Sequence, residues 1–526
     1  MTDGEPIVGR PPTPDPGPGA APAGALPGPE PASAAPSGVA DPSRRRFFRL
    51  IAADAIQTAA QVVGVAAALQ RTSAEAAAVL LDDGSAGAAP AAAEAAQPAT
   101  GHRSPFRMEP GRLVVLDQGR FPFEVVEIEC ATGAEVARAI RELAVRGGPA
   151  IAQVAAYGLA LTADRARSAK PYVRLATVRG TANALAHARI APAAPRAAVD
   201  RLMARMSTVG ELVDTGDEIA DAMRAEADAI AFETTLDNAR LVDAGRAALE
   251  DLVRAAEAAA ASSASASAAE GAPTAAERAL GVLTLGSSGA LAGGQVGTAL
   301  AVLASFAGSG RPTHVFVLET RPSLDGARLA AWELAQAAVP FSILVDGAAG
   351  WILASGEVDV VIVAADRVAR DGSFLAPIGT LGVAVAAASA GVPVWVCATG
   401  SALDPGADGV DDLPEETRTA NDLLRIRGLD VAAPGSTARN PIVDATPGEL
   451  VSLFVTDAGV FQPPFAVELA ALAAAFASRS PVPADPVRGG GTAGATATAR
   501  PEVSRAGDSP AGGALEDPGS AEGTAS

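Results

Sequence analysis

Asp366 has the sequence surroundings that point most directly to chemistry. It follows the run VDVVIVAA at 358–365, so its carboxylate emerges from a largely apolar strand. Loss of water there raises a carboxyl pKa toward the range a general acid or base needs. Arg367 opposes that shift, and a helix N-cap aspartate is the structural alternative. The second feature is the corner Arg146-Gly147-Gly148-Pro149. Its glycines stop one helix and its proline opens another, where the missing N–H would be unpaired anyway. The free N–H groups and positive dipole end of that fresh helix suit an anion such as a phosphate. An ordinary helix–helix corner with a solvated arginine is the alternative. Glu319-Thr320-Arg321-Pro322, Asp346, Ser287, Ser288, Thr399 and Ser401 are further polar groups, each just beyond an apolar run. Glu319 and Arg321 fit an internal ion pair as well as a site.

The composition narrows the chemistry. The chain has 526 residues and a net charge of -20, from 40 basic and 60 acidic side chains. That balance argues against nucleic acid as a main ligand, because phosphate backbones are met by clustered Lys and Arg. Lys170 is the single lysine, so a Schiff-base mechanism has one poor candidate. His102, His187, His314, Cys130 and Cys397 are too few and too scattered for a zinc or haem site or a disulfide framework. Both cysteines read as buried small hydrophobes, without a neighbouring histidine or basic helix start to lower a thiol pKa. His314 reads as a packing or edge residue at the start of a strand. Gly293-Gly294-Gln295-Val296-Gly297 lacks the G-x-G-x-x-G order, which leaves no dinucleotide signature.

These groups need a scaffold, and the sequence outlines one. Segments 1–43, 83–104 and 479–526 are rich in Pro, Ala, Gly and Ser and read as disordered tails and a linker. Residues 44–82 form a basic amphipathic helical segment opening on Ser43-Arg44-Arg45-Arg46-Phe47-Phe48. It superficially matches a twin-arginine export signal. Asp54, Gln57 and Gln61 interrupt its apolar run, however, and it falls short of the roughly 18–20 apolar residues of a membrane span. Packing on its own domain or a partner is the main reading, export or membrane-surface contact the lesser ones, and the expected location is cytoplasmic.

A smaller mixed α/β and helical domain is expected over 105–255. GRLVVLDQ and FEVVEIEC alternate as two short strands. Thr132 with Glu135 then makes a capping box for a helix whose Val136, Ile140, Leu143 and Ala144 share a face. Residues 256–276 form a low-complexity insert or an extended helix end. Over 277–478, buried strands alternate with helices as in a parallel, Rossmann-like sheet covered on both faces. Five strands are predicted, at 282–285, 314–318, 341–345, 358–364 and 394–397. A helix carrying Leu324, Ala327, Ala331 and Leu334 on one face is predicted from Pro322. Ligands of open α/β sheets bind beyond the carboxyl ends of the strands, so the polar groups above converge on one rim if the strands are parallel.

Taken together, five segments resemble a known family. They are AVRGGPAIAQVAAYGLAL (144–161), LTLGSSGALAGGQVGTAL (283–300), ETRPSLDGARLAAWEL (319–334), VDVVIVAADRVARDGSFLAPIGTL (358–381) and NPIVDATPGELVSLFVTDAGV (440–460). The chain from about 105 to 465 resembles methylthioribose-1-phosphate isomerase and its relatives, ribose-1,5-bisphosphate isomerase and the regulatory subunits of translation initiation factor 2B. The resemblance implies a Rossmann-like C-terminal domain, a homodimer, a phosphorylated sugar as ligand, and an aldose-to-ketose isomerisation carried by a cysteine and an aspartate, with no metal and no organic cofactor. By motif it places Asp366 at the catalytic aspartate and Arg146, Gly147 and Gly148 at a phosphate-site segment. Arg179 matches a substrate-contacting arginine in a pattern like R-P-T-A-x-N, and Asp325 stands where the family has a substrate-contacting glutamine.

Several positions depart from the pattern. The family's cysteine, in a pattern like T-H-C-N-A-G, falls at Gly286, and its Asn-Lys pair falls at Ala376-Pro377. The residue flanking the strand aspartate is Gly347. Ser287 or Ser288 is a weak substitute for a thiol without an adjacent base, and Asp325 near Arg146 would repel a phosphate. The expected function is therefore a sugar-phosphate isomerase of the methionine-salvage type with a degenerate site. The alternative is a non-catalytic regulatory or phospho-ligand-binding protein of the initiation-factor-2B type.

Overall fold

The computed structural model describes residues 104–212, 215–263, 278–426 and 428–479. The tails apart from residue 479, the 44–82 segment, the linker apart from residue 104, and the insert beyond 263 lie outside them. The described chain opens on an antiparallel sheet of β1 (Phe106–Glu109), β2 (Arg112–Leu116) and β3 (Glu127–Cys130). The sequence reading has two strands here. FRME carries two charges in four residues, so no alternation announces it as a strand. The Pro110-Gly111 turn folds it onto β2, with Gly111 at φ 74°.

Helices follow. The expected capping box is present at α1 (Gly133–Arg141): Glu135 N donates to Thr132 Oγ1, and the Glu135 carboxylate accepts from Thr132 N. Next come α2 (Gly148–Arg165), α3 (Pro171–Ala186), α4 (Ala194–Leu212) and α5 (Gly216–Ser263). Helix α5, 48 residues and so about 70 Å long, runs past the boundary expected at 255 and serves two cores. Ile219, Met223 and Ile230 pack with α2 and α4, whereas Leu241, Leu249 and Leu252 cover one face of the C-terminal sheet.

That sheet holds β4 (Leu280–Thr284), β5 (Thr313–Leu318), β6 (Phe341–Leu344), β7 (Val360–Ala364), β10 (Val394–Cys397), β14 (Leu453–Thr456) and β15 (Gly459–Phe461). Their order is β15-β14-β10-β7-β4-β5-β6, parallel throughout except for β14–β15. All five predicted strands are present. β14 and β15 extend the sheet beyond the prediction; LFVT and GVF are too short for period-2 reading to separate from loop. Val361, Val363, Val396 and Phe454 point into one core, and Val360, Ile362, Cys397 and Val455 into the other. That is the two-faced burial expected of a parallel sheet.

A small sheet, β13 (Val443–Thr446)–β9 (Phe374–Pro377)–β8 (Arg367–Val368), folds over the carboxyl end of β7. The helix predicted from Pro322 begins later. Gly326–Ala330 is a π-helical turn that leads into an α-helix over Ala331–Gln336, and Leu329 rather than Ala327 is buried. β4 and β7 are neighbours, yet the chain leaves β4 toward β5 and returns to β7 on the other side. Their carboxyl ends thus flank the switch point where ligands enter such folds.

Candidate active site

A cavity of about 110 Å³, with room for several water molecules, opens at that switch point. Its walls include Arg146, Gly147 and Gly148 from the corner before α2, Ser287 from the loop after β4, and Thr320, Arg321 and Asp325 after β5. Asp366 after β7 and Pro377 at the end of β9 complete them. The two features singled out first in the sequence therefore share one pocket: a Cβ built on Gly148 would lie 4.0 Å from Asp366 Oδ1.

Asp366 does not cap a helix. β8 follows it, its N–H donates to Leu375 O (2.8 Å), and its carbonyl accepts from Ala193 N (3.1 Å). Its side chain lines the cavity, through which the residue is partly accessible. Burial pushes its carboxyl up to about 6; Arg189 opposes the shift, Glu416 adds to it, and Arg367 opposes it least. Arg367 is otherwise engaged: it donates to Ala191 O and Ile190 O and pairs with Asp404, pinning the strap 190–193 over the site.

The corner forms because Leu143 (φ 62°) and Gly147 (φ 82°) turn the chain sharply between α1 and α2. Gly147 is required there twice over. A Cβ on it would also meet Ala292 O at 2.4 Å, where the corner approaches the loop after β4. Arg146 leaves the corner into the cavity wall and donates Nη1 to Asp325 Oδ2 at 2.7 Å, with both side chains largely buried. Asp325 also meets Arg328 (3.3 Å), whose Nη1 donates to the carbonyls of Gln118, Gly119 and Phe121 and whose Nε donates to Ser323 O. Asp325 thus neutralises Arg146 instead of merely standing near it. Arg146 Nε remains buried without a partner.

The loop after β4 is held from below. Gly286 N donates to Thr320 Oγ1 (2.9 Å), and Asp346 accepts from the N–H of Thr320 and of Arg321. Asp346 is thereby a brace for the β5 loop and not a member of the cavity wall. Gly286 lies at φ 77°, and a Cβ there would stand 2.9 Å from Pro377 Cγ. The two departures at 286 and 377 hence abut each other, Pro377 on the cavity wall and Gly286 just behind it. Ser287 Oγ is buried without a partner, whereas Ser288 Oγ accepts from Leu300 N and caps the next helix.

Cys130 is buried in the N-terminal domain, its thiol pushed up to about 11 by burial and by Glu135. Cys397 is buried at the end of β10 and also lines the cavity; burial pushes its thiol well above the usual range. Among the described residues no cluster of His, Cys, Asp or Glu is arranged to hold a metal ion, and no helix is long and apolar enough to cross a membrane.

Arg179 does not reach the cavity. Helix α3 buries Arg174, Val178, Ala182 and Leu185, and position 179 falls about 100° round from 178, on the exposed face. The arginine that the structure does supply is Arg189, in the strap between α3 and α4. It lines the cavity, 10% exposed, and its Nε pairs with Glu416, whose other oxygen accepts from Ala191 N (2.9 Å). Its sequence signal was positional: Arg189 and Pro192 lie in the short link between α3 and α4, which crosses the end of β7, where Ala193 N meets Asp366 O.

The sequence profile of the initiation factor 2 subunit family matches residues 144–463. A methylthioribose-1-phosphate isomerase of Pelotomaculum thermopropionicum is 34% identical over 355 residues, covering 68% of this chain and 90% of the relative. One from Anaeromyxobacter sp. strain Fw109-5 is 38% identical over 373 residues, covering 70% and 98%. Among solved structures, 5-methylthioribose 1-phosphate isomerase from Pyrococcus horikoshii superposes with a TM-score of 0.57 at 28% identity, covering 71% of this chain and 96% of that one. The delta subunit of translation initiation factor eIF-2B from A. fulgidus does so with a TM-score of 0.55 at 28% identity, covering 70% and 98%.

Proposed function

Since the chain belongs to the family of methylthioribose-1-phosphate isomerases and initiation factor 2 subunits, we propose that its cavity takes a pentose 1-phosphate of the methylthioribose type and isomerises it slowly to the ketose. One observation carries this reading: Asp366 presents a carboxyl of pKa about 6 to the glycine corner inside the pocket. A group poised there is about one-tenth protonated at pH 7, enough to act as acid and then as base.

The chemistry needs one such group. The protonated carboxyl gives its proton to the ring oxygen as the C1–O bond breaks. Hydrogen moves with its electron pair from C2 to C1, and the carboxylate recovers a proton from the C2 hydroxyl as the ketone forms. Protons and electrons balance, and no thiol takes part. Gly286 in place of a reactive side chain removes one positioned group, which lowers the rate by roughly 10²–10⁴.

A second reading has its own support. Gly286, together with the carboxylate already on Arg146, favours a protein that binds the sugar phosphate without converting it. Incubation with methylthioribose 1-phosphate, followed by phosphorus NMR, separates the two. Slow ketose formation that Asp366→Asn abolishes while binding persists supports the isomerase. Binding without conversion selects the regulatory protein, and absence of binding defeats both. As part of the same proposal the protein is a cytoplasmic homodimer, which sedimentation at twice the chain mass would bear out.

A further inference from the structure

The loop after β4, LGSSGALAGGQVGT at 285–298, carries no charge of its own, yet polar side chains from other elements reach it from two sides. Gln118 Nε2 donates to Leu291 O (2.9 Å), Gln153 Nε2 to Gly293 O (2.8 Å) and Asn238 Nδ2 to Val296 O (2.6 Å). These three neutral amides, all from the N-terminal half of the chain, hold carbonyls. N–H groups of the loop are met from the sheet domain, by Thr320 at Gly286 and by Glu333. Glu333, 3% exposed, stands in the helix Ala331–Gln336 and accepts from Ala290 N through Oε2 at 2.6 Å. Ala290 opens the single helical turn Ala290–Gly293. A Cβ on Gly289 would overlap that same oxygen, so backbone and carboxyl are in direct contact. The other side of the turn belongs to the cavity: Ala292 and Gly293 line it, and Ala292 packs against Gly147, where the corner has no room for a side chain.

Resting on the reading of the cavity as an isomerase site, we infer that Glu333 is a positioning residue for the reaction: its buried acceptor oxygen fixes the turn Ala290–Gly293, and through that turn the gap between the glycine corner and Asp366. The contacts are continuous. Glu333 holds Ala290, Ala292 abuts Gly147, and a Cβ built on Gly148 lies 4.0 Å from Asp366 Oδ1. Without the acceptor, Ala290 N would be buried and unpaired, a state that a shift of the turn relieves. Misplacing a bound substrate by about 1 Å from its proton-transfer group can cost about a hundredfold in rate. The contact uses an oxygen rather than a charge. Oε1 has no hydrogen-bond partner, so an amide in place of the carboxyl keeps the acceptor and gives up no bond.

Turnover of methylthioribose 1-phosphate by the full chain, followed by phosphorus NMR over a range of substrate concentrations and well below each variant's melting temperature, tests this. Glu333→Met should lower kcat by about ten- to hundredfold with KM little changed, because the corner still binds while its spacing from Asp366 is lost. Glu333→Gln should keep kcat near wild type. Gln118→Met, which withdraws the donor from Leu291 O in the same turn, should show the same split, and it replaces Glu333→Met if that variant does not fold. Wild-type kcat in the folded variant, or a Gln variant as slow as the Met one, overturns the inference and leaves the isomerase reading standing. A wild type that converts nothing defeats that reading, and this inference with it.

Discussion

Replacing Asp366 by Asn should stabilise the protein while stopping turnover, and the size of the gain should follow pH. The carboxyl has an ordinary value of 3.8 and is raised to about 6 by burial. A raised acid binds more protons folded than unfolded, so its contribution to stability falls as pH rises from about 4 through 6 and stays lost above that. At 1.36 kcal/mol per pKa unit the full penalty is about 3 kcal/mol, reached by about pH 7; near pH 4.5 it is about 1 kcal/mol. Asparagine has nearly the same shape and never ionises, and the side chain gives up no hydrogen bond among the described residues. Asp366→Asn should therefore exceed wild type by about 1 kcal/mol at pH 4.5 and about 3 kcal/mol at pH 7, as urea midpoints multiplied by a shared slope. A difference that stays flat between those values would show that the carboxyl is solvated and ordinary. Lower stability of the variant at pH 7 would show that it is a structural anchor. Either outcome removes the ground for its role as a proton-transfer group.

Other perturbations follow from the same geometry. Gly286→Cys should cost about 1–3 kcal/mol for a side chain at positive φ, with part of the loss, due to the 2.9 Å approach of Pro377, recovered in the double variant with Pro377→Lys; urea titration reads both. Restored isomerase activity once Ala376→Asn is added would support the account of a lost site. Arg189→Met should destabilise by about 3–5 kcal/mol by leaving Glu416 buried with one backbone donor. Adding Glu416→Leu should recover most of that, and a double variant no better than the single one would contradict the pairing. Glu333 is buried beneath the loop after β4 and accepts from Ala290 N at 2.6 Å, with its carboxyl raised to about 8 by burial. Wild type should therefore lose stability relative to Glu333→Gln as pH rises from about 5 through 8, which melting temperatures across that range would reveal.

Much of this arrangement was legible in one dimension. The capping box at Thr132 and Glu135, the helix break at Gly147, and the five apolar strands are local signals, because each depends on residues within a few positions of one another. Once those strands are parallel, the sheet's own geometry brings Asp366 and the loop carrying Ser287 to one rim. Strands β14 and β15 and the small sheet over β7 were not legible, because their short segments gain strand character only from the partners they pair with. Arg179 lies away from the cavity for a related reason. A motif match places a residue in the sequence, but which side of a helix faces the cavity is decided by the core that Val178 and Leu185 join.

The amino-acid sequence by itself determined the scaffold, the acid at the end of β7 and the glycine corner. Periodicity, caps and backbone freedom act over a few residues and need no distant partner. Tertiary structure alone decided which charges are free. Arg146 meets a carboxylate 179 positions away and Arg189 one 227 positions away. Coulombic pairing depends on distance in space and on local dielectric, and neither is encoded by residue type or spacing along the chain.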